Sequence, residues 1–136
     1  MSSSPALRLL IADDHQLFAH ALRAVLSSDT LEVVGIATSG LEAVEQTLKL
    51  SPDVLLLDLG MPGSDGFEAL ELLRQCRSKA RTIVLSAVDE PESRRRAIEL
   101  GALAFVSKAQ PLDELSSALE TAAALIRAID SQLDDA

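Results

Sequence analysis

Short apolar runs alternate with helical periodicities along the whole chain. Residues 7–12, 31–37, 54–57, 82–85 and 103–106 are rich in Leu, Ile and Val, and polar or glycine-containing segments separate them, so they read as strands. Between them the apolar positions recur at helical spacing. Leu17, Ala21, Leu22 and Val25 mark a first helix, and Leu41, Val44 and Leu48 a second. Phe67, Leu70 and Leu73 mark a third, and Ala97, Ile98 and Gly101 a weaker fourth. The last is the clearest: Leu112, Leu115, Leu119, Ala122 and Ile126 share a face with polar residues opposite. Asp14 and Ser39 suit the starts of the first two helices, and Gly101 suits the end of the fourth.

Five strands alternating with five helices predict an α/β domain whose parallel sheet is covered on both faces. The expected boundaries are a disordered N-terminus at 1–6, the domain at 7–129, and a frayed tail or start of a linker at 130–136. In such a sheet, sites form beyond the carboxyl ends of the strands, at the switch point of the topology.

Composition narrows the function. A chain of 136 residues with 48% apolar content holds a real core, and no apolar run is long enough to span a bilayer. The opening Met1-Ser2-Ser3-Ser4-Pro5 lacks the charged region of a signal peptide, and the single cysteine, Cys76, fits a reducing, cytoplasmic setting. Net charge is -9, from 12 Lys+Arg against 21 Asp+Glu, with no Trp or Tyr and three Phe. That leaves neither the electrostatic footprint nor the stacking platforms for gripping nucleic acid directly.

The strand ends carry the chemistry. The first strand delivers Asp13 and Asp14, the third Asp58, the fourth Ser86, and the fifth Ser107 and Lys108. After Asp58 the chain bends through Gly60, Pro62, Gly63 and Gly66. Three crowded carboxylates repel one another and raise each other's pKa values, and a hard divalent cation such as Mg²⁺ removes that repulsion. With a lysine and a hydroxyl alongside, the set suits a phosphoryl group and its metal, and one carboxylate can be the covalent acceptor.

Five pieces taken in order are specific: Ile11-Ala12-Asp13-Asp14-His15, Leu57-Asp58-Leu59-Gly60-Met61-Pro62, Asp65-Gly66, Leu85-Ser86-Ala87, and Gly101-Ala102 running on to Phe105-Val106-Ser107-Lys108. They resemble the receiver domain of bacterial two-component response regulators. The Asp-Asp-His start and Asp113-Glu114-Leu115 look most like the NarL/FixJ subfamily, whose members usually carry a C-terminal DNA-binding domain. The resemblance implies a flavodoxin-like (βα)5 fold with strand order 2-1-3-4-5. It makes Asp58 the phosphoacceptor, and Asp13, Asp14, Asp58 and the Gly60 carbonyl the Mg²⁺ ligands. Lys108 would contact the phosphoryl oxygens, Ser86 would close onto them, and Phe105 would be the aromatic whose rotamer follows Ser86. The implied partners are a sensor histidine kinase or a histidine phosphotransfer protein, with a homodimer through the fourth helix, fifth strand and fifth helix. A stand-alone regulator or phosphorelay intermediate is the alternative output.

Simpler roles compete for several residues. Asp13 or Asp14 can cap a helix, and Arg94, Arg95 and Arg96 read as a solvated helix face or part of a protein interface. His15 and His20 lack the partners of a metal site, and Cys76 reads as a helix packing residue. Other aspartate or phosphate chemistries fit less well. A haloacid-dehalogenase-type phosphatase needs a second acid where Gly60 stands, and no G-x-G-x-x-G follows the first strand. Two departures from the receiver pattern stand out: Ala109 follows Lys108 where many receivers have proline, and Phe105 lacks a tyrosine hydroxyl. Gly60 and Val88 also put no polar side chain beside the phosphoryl site, so slow self-dephosphorylation is expected.

Overall fold

The computed structural model describes residues 6–61, 66–87 and 90–134. Pro62, Gly63, Asp65 and Val88, which figured in the sequence reading, lie outside them. The elements alternate strictly: β1 (Leu7–Ala12), α1 (Gln16–Leu26), β2 (Leu31–Ala37), α2 (Gly40–Leu50), β3 (Val54–Asp58), α3 (Gly66–Gln75), β4 (Arg81–Ser86), α4 (Pro91–Glu99), β5 (Ala104–Ser107) and α5 (Leu112–Asp134). All strand pairs are parallel and the order is β2-β1-β3-β4-β5, as expected. Among the described residues no helix is long and apolar enough to cross a membrane.

Side-chain alternation along the strands builds two cores. Leu9, Ile11, Leu56 and Leu85 point to the face covered by α1 and α5, where they meet Leu22, Leu115 and Ile126. Leu10, Ala12, Leu55, Leu57 and Val84 point to the other face, against Val44, Leu70 and Ala97. Central strands buried on both sides explain the unbroken Leu/Val runs. They also make the strands a rigid mount for whatever follows their last residues.

Two helical faces differ from the sequence expectation. In α1 the buried residues are Ala19, Leu22 and Leu26, with Phe18 packed beside them, whereas Leu17 is 88% exposed. In α2 they are Gly40, Ala43, Val44 and Thr47, while Leu41 and Leu48 face outward. Both helices have apolar residues around much of their circumference, so periodicity admits more than one stripe. Packing of small residues against the sheet selects the stripe that allows close approach. The faces read for α3 and α5 are the ones buried, with Leu70, Leu73, Leu115, Leu119 and Ile126 inside. Of α4, only Ala97 is fully buried, and Ile98 is exposed.

The caps divide similarly. Ser39 Oγ accepts the Glu42 N–H at 3.1 Å and caps α2. Asp14 does not cap α1; the N-cap is His15, and its side chain makes no capping bond. Cys76 lies exposed just past α3 rather than packing on it. The stretch from Asp130, expected to fray, continues α5 to Asp134. Arg127 Nη1 donates to Thr30 O at 2.9 Å, and Arg81 Nη2 pairs with Asp130 Oδ1 at 2.9 Å, which fastens the helix to the amino-terminal edge of the sheet.

Gly101 ends α4 with φ +103, and its N–H donates to Ile98 O while the Ala102 N–H donates to Ala97 O. A Cβ there meets nothing within 4 Å, so the need for glycine is conformational. Gly101→Ala is therefore expected to cost about 1–2 kcal/mol in urea denaturation. Gly101→Asn should cost less, and equal costs would point to some other cause.

Candidate functional site

Register brings the site together. Ala12 pairs with Leu57, so Asp13 and Asp58 stand one residue further along two adjacent strands, at the β1/β3 switch point. Ser86 pairs with Ser107, which sets Lys108 just beyond β5. Cross-strand backbone bonds fix these ends. The Asp13 N–H donates to Ala37 O at 2.9 Å, Leu59 N–H to Leu85 O at 3.1 Å, and Lys108 N–H to Ser86 O at 2.8 Å.

Lys108 crosses above the carboxyl edge. Its Nζ lies 2.7 Å from Asp13 Oδ2 and 3.3 Å from Asp58 Oδ2. Asp13 and Asp58 are both buried, and only 10% of the Lys108 side chain is exposed. The remaining carboxylate oxygens take backbone donors: His15 N–H reaches Asp13 Oδ1 at 2.9 Å, and Gly60 N–H reaches Asp58 Oδ1 at 3.0 Å. Asp13 Oδ2 meets the Lys108 ammonium and, among the described residues, no other donor. A buried oxygen in that position suits a cation. Asp14 is half-buried, and Ser86 is buried at the end of β4. Phe105 is half-buried on β5, its ring 5.3 Å from the Arg94 guanidinium. The Lys108–Ala109 peptide is trans, as are all the described peptide bonds.

Two neighbours were not anticipated. His15 Nδ1 lies 3.3 Å from Lys108 Nζ and 4.0 Å from Asp13 Oδ1, so the histidine is not isolated as its sequence context suggested. Ligand atoms of Asp13, Asp14 and His15 fall within 4.8 Å of one another, a cluster able to hold a metal ion. The Phe18 ring lies 4.5 Å from the same ammonium. A contact between the first turn of α1 and a lysine ninety positions later leaves no local sequence signal.

Burial is the chief reason the Asp13 carboxyl titrates above its ordinary value, and the Asp58 charge adds to the rise. The Lys108 contact and the His15 N–H oppose it without cancelling it. Above pH ~4 the unfolded chain has lost this proton while the folded protein still holds part of it. The folded state therefore binds more protons, and metal-free stability falls as pH rises through the folded pKa. Asp13→Asn removes that penalty. Its metal-free melting temperature at pH 7 is expected to rise by ~2–5 °C, with a flatter pH profile. A variant that melts at or below the wild-type temperature at every pH would contradict this.

Buried carboxylates bridged by a lysine, at the switch point of a doubly wound parallel sheet, are the arrangement of a signalling receiver. The family model described as the response regulator receiver domain matches residues 9–120, and the chain belongs to that family. It is 44% identical over 104 residues to protein-glutamate methylesterase/protein-glutamine glutaminase 5 of Myxococcus xanthus, which covers 75% of this chain and 30% of that protein. It is 34% identical over 125 residues to the nitrate/nitrite response regulator protein NarL of Escherichia coli, covering 91% of this chain and 58% of that protein. The signal receiver domain of Mycobacterium tuberculosis NarL has a TM-score of 0.80 and 35% identity, over 88% of this chain and 98% of that one. The chain thus spans about a third to somewhat over half the length of these full-length relatives.

Proposed function

We propose that this receiver takes a phosphoryl group onto Asp58 from a sensor histidine kinase or a histidine phosphotransfer protein, and thereby changes its association surface. The observation that carries the proposal is the Lys108 ammonium held between Asp13 Oδ2 and Asp58 Oδ2. Asp58 is tied through Oδ1 to the Gly60 N–H, which leaves Oδ2 on the lysine side to meet the incoming phosphorus. Oδ2 attacks, the donor's P–N bond breaks, and the new P–O bond makes an acyl phosphate. The departing imidazole nitrogen keeps the bonding pair and takes up a proton. Lys108 then faces the phosphoryl oxygens it helped to attract, and the Ser86 hydroxyl closes from the end of β4.

Mg²⁺ suits the donor set, since Asp13 and Asp14 offer hard oxygens close together and Asp13 Oδ2 is buried with Lys108 as its one described donor. Asp13, Asp14, Asp58 and the Gly60 carbonyl would hold it. When bound it neutralises charge on the carboxylates and the transferring group. His15 is a bystander in this assignment, because a hard ion prefers oxygen.

The chemistry is self-modification, and the output lies elsewhere. The resemblance of the motifs to the NarL/FixJ subfamily supports a DNA-binding output domain controlled by this receiver, and the proposal extends to a cytoplasmic setting and to α4, β5 and α5 as the face for homodimerisation. The exposed Arg94 to Arg96 segment belongs to that face.

A small phosphodonor with Mg²⁺ is expected to add one base-labile phosphoryl group, and Asp58→Asn to abolish it. Equal labelling of the variant by mass spectrometry would refute the assignment. Mg²⁺ at a hundredfold excess over its Kd should add ~2.7 kcal/mol of stability, and Asp13→Asn should blunt that response. A melting curve indifferent to saturating Mg²⁺ would remove the metal from the proposal.

A further inference from the structure

The sequence has three aromatic residues, Phe18, Phe67 and Phe105, and a cation covers each ring. One of these pairs belongs to the site already described, with Lys108 over Phe18. The other two belong to α4: Arg94 lies 5.3 Å from the Phe105 centroid on β5, and Arg96 lies 4.2 Å from the Phe67 centroid at the start of α3. The third arginine, Arg95, pairs instead with Glu92 at 3.5 Å on the exposed surface.

Among the described residues, the core contact of α4 is small. Its one fully buried side chain is Ala97, and Ile98 faces solvent. At 100° per residue, Arg94 and Arg96 flank the Ala97 position on either side of the helix. Two guanidinium–ring contacts thus flank that one small apolar residue. Such contacts contribute modestly and are reversible, unlike interdigitated core packing.

Phe105 is also placed to reach the phosphorylation site. It pairs with Val84, two residues before Ser86 on the same strand, so Phe105 and Ser86 project from the same face of the sheet.

We propose that Arg94 is a positioning residue: by stacking on Phe105 it latches α4 and the ring in the resting arrangement, and closure of Ser86 on the phosphoryl group competes with that stack. The latch deepens the phosphoacceptor reading above and rests on it for its trigger. Its resting geometry stands without that reading. Breaking the stack shifts the equilibrium toward the activated arrangement, because the resting state alone loses the contact.

The experiment uses protein labelled with fluorophenylalanine, its Phe105 ¹⁹F signal assigned with Phe105→Leu, and titrated with beryllofluoride and Mg²⁺. Arg94→Ala is expected to move the Phe105 resonance, before any addition, toward its beryllofluoride-bound position. It should also lower the half-saturating beryllofluoride concentration about two- to five-fold. Arg94→Lys, which keeps a cation over the ring, should restore most of the wild-type behaviour, and Arg23→Ala, an exposed position on α1 outside α4, β5 and α5, should leave both readings unchanged. An Arg94→Ala protein with wild-type resonance and midpoint overturns the latch, as does an equal effect from Arg23→Ala. A wild-type protein that ignores beryllofluoride instead overturns the phosphoacceptor reading, and the resting resonance still decides the latch.

Discussion

The Lys108 ammonium between two buried carboxylates is the constraint on which the rest of this molecule depends. Asp13 and Asp58 sit at the ends of adjacent central strands, where burial penalises two negative charges so close together. A single cation at 2.7 and 3.3 Å relieves much of that penalty but not all of it, as the raised pKa of Asp13 records. The site therefore retains a demand for positive charge, which the divalent cation proposed for it would meet.

The scaffold and the moving parts are built from different interactions. β1, β3 and β4 are buried on both faces, with Leu, Ile and Val packed on each side, so the acidic cluster is mounted on the stiffest part of the protein. α4 is the opposite case, a strongly polar helix with one buried alanine and two arginines laid over aromatic rings. Packed cores deform only at high cost, while a helix held by surface cation–ring contacts can shift for little. On the proposed phosphorylation of Asp58, charge added at the rigid end would therefore be expressed as movement of the loosely held side.

At the opposite, amino-terminal edge, α5 is pinned by the Arg81–Asp130 pair and by Arg127 on the Thr30 carbonyl. The helix thus spans the whole depth of the sheet, from just beyond Lys108 to the far edge. An element anchored at both ends can carry a change in β5 outward as a unit, whereas a frayed tail cannot.

The strand runs, the helix count, the parallel sheet and the three acids with their lysine were all legible in the sequence, because each is local: an apolar run, a repeat of period 3.6, or a polar residue immediately after a strand. The helical stripes of α1 and α2 were not. Leu17 and Leu41 satisfy the same periodicity as the residues that are buried, and only contact with the sheet chooses between them. Asp14 looked like a cap by its position, yet the turn after β1 gives the His15 N–H to the Asp13 carboxylate instead. The tail from Asp130 looked polar enough to fray, because its partner Arg81 lies forty-nine residues away. The cations over Phe18, Phe67 and Phe105 are hidden for the same reason. The sequence by itself determined which residues end each strand, since those follow from runs of hydrophobicity. Tertiary structure alone decided which faces, caps and arginine–ring pairs form, since each depends on groups that only the folded sheet brings within reach.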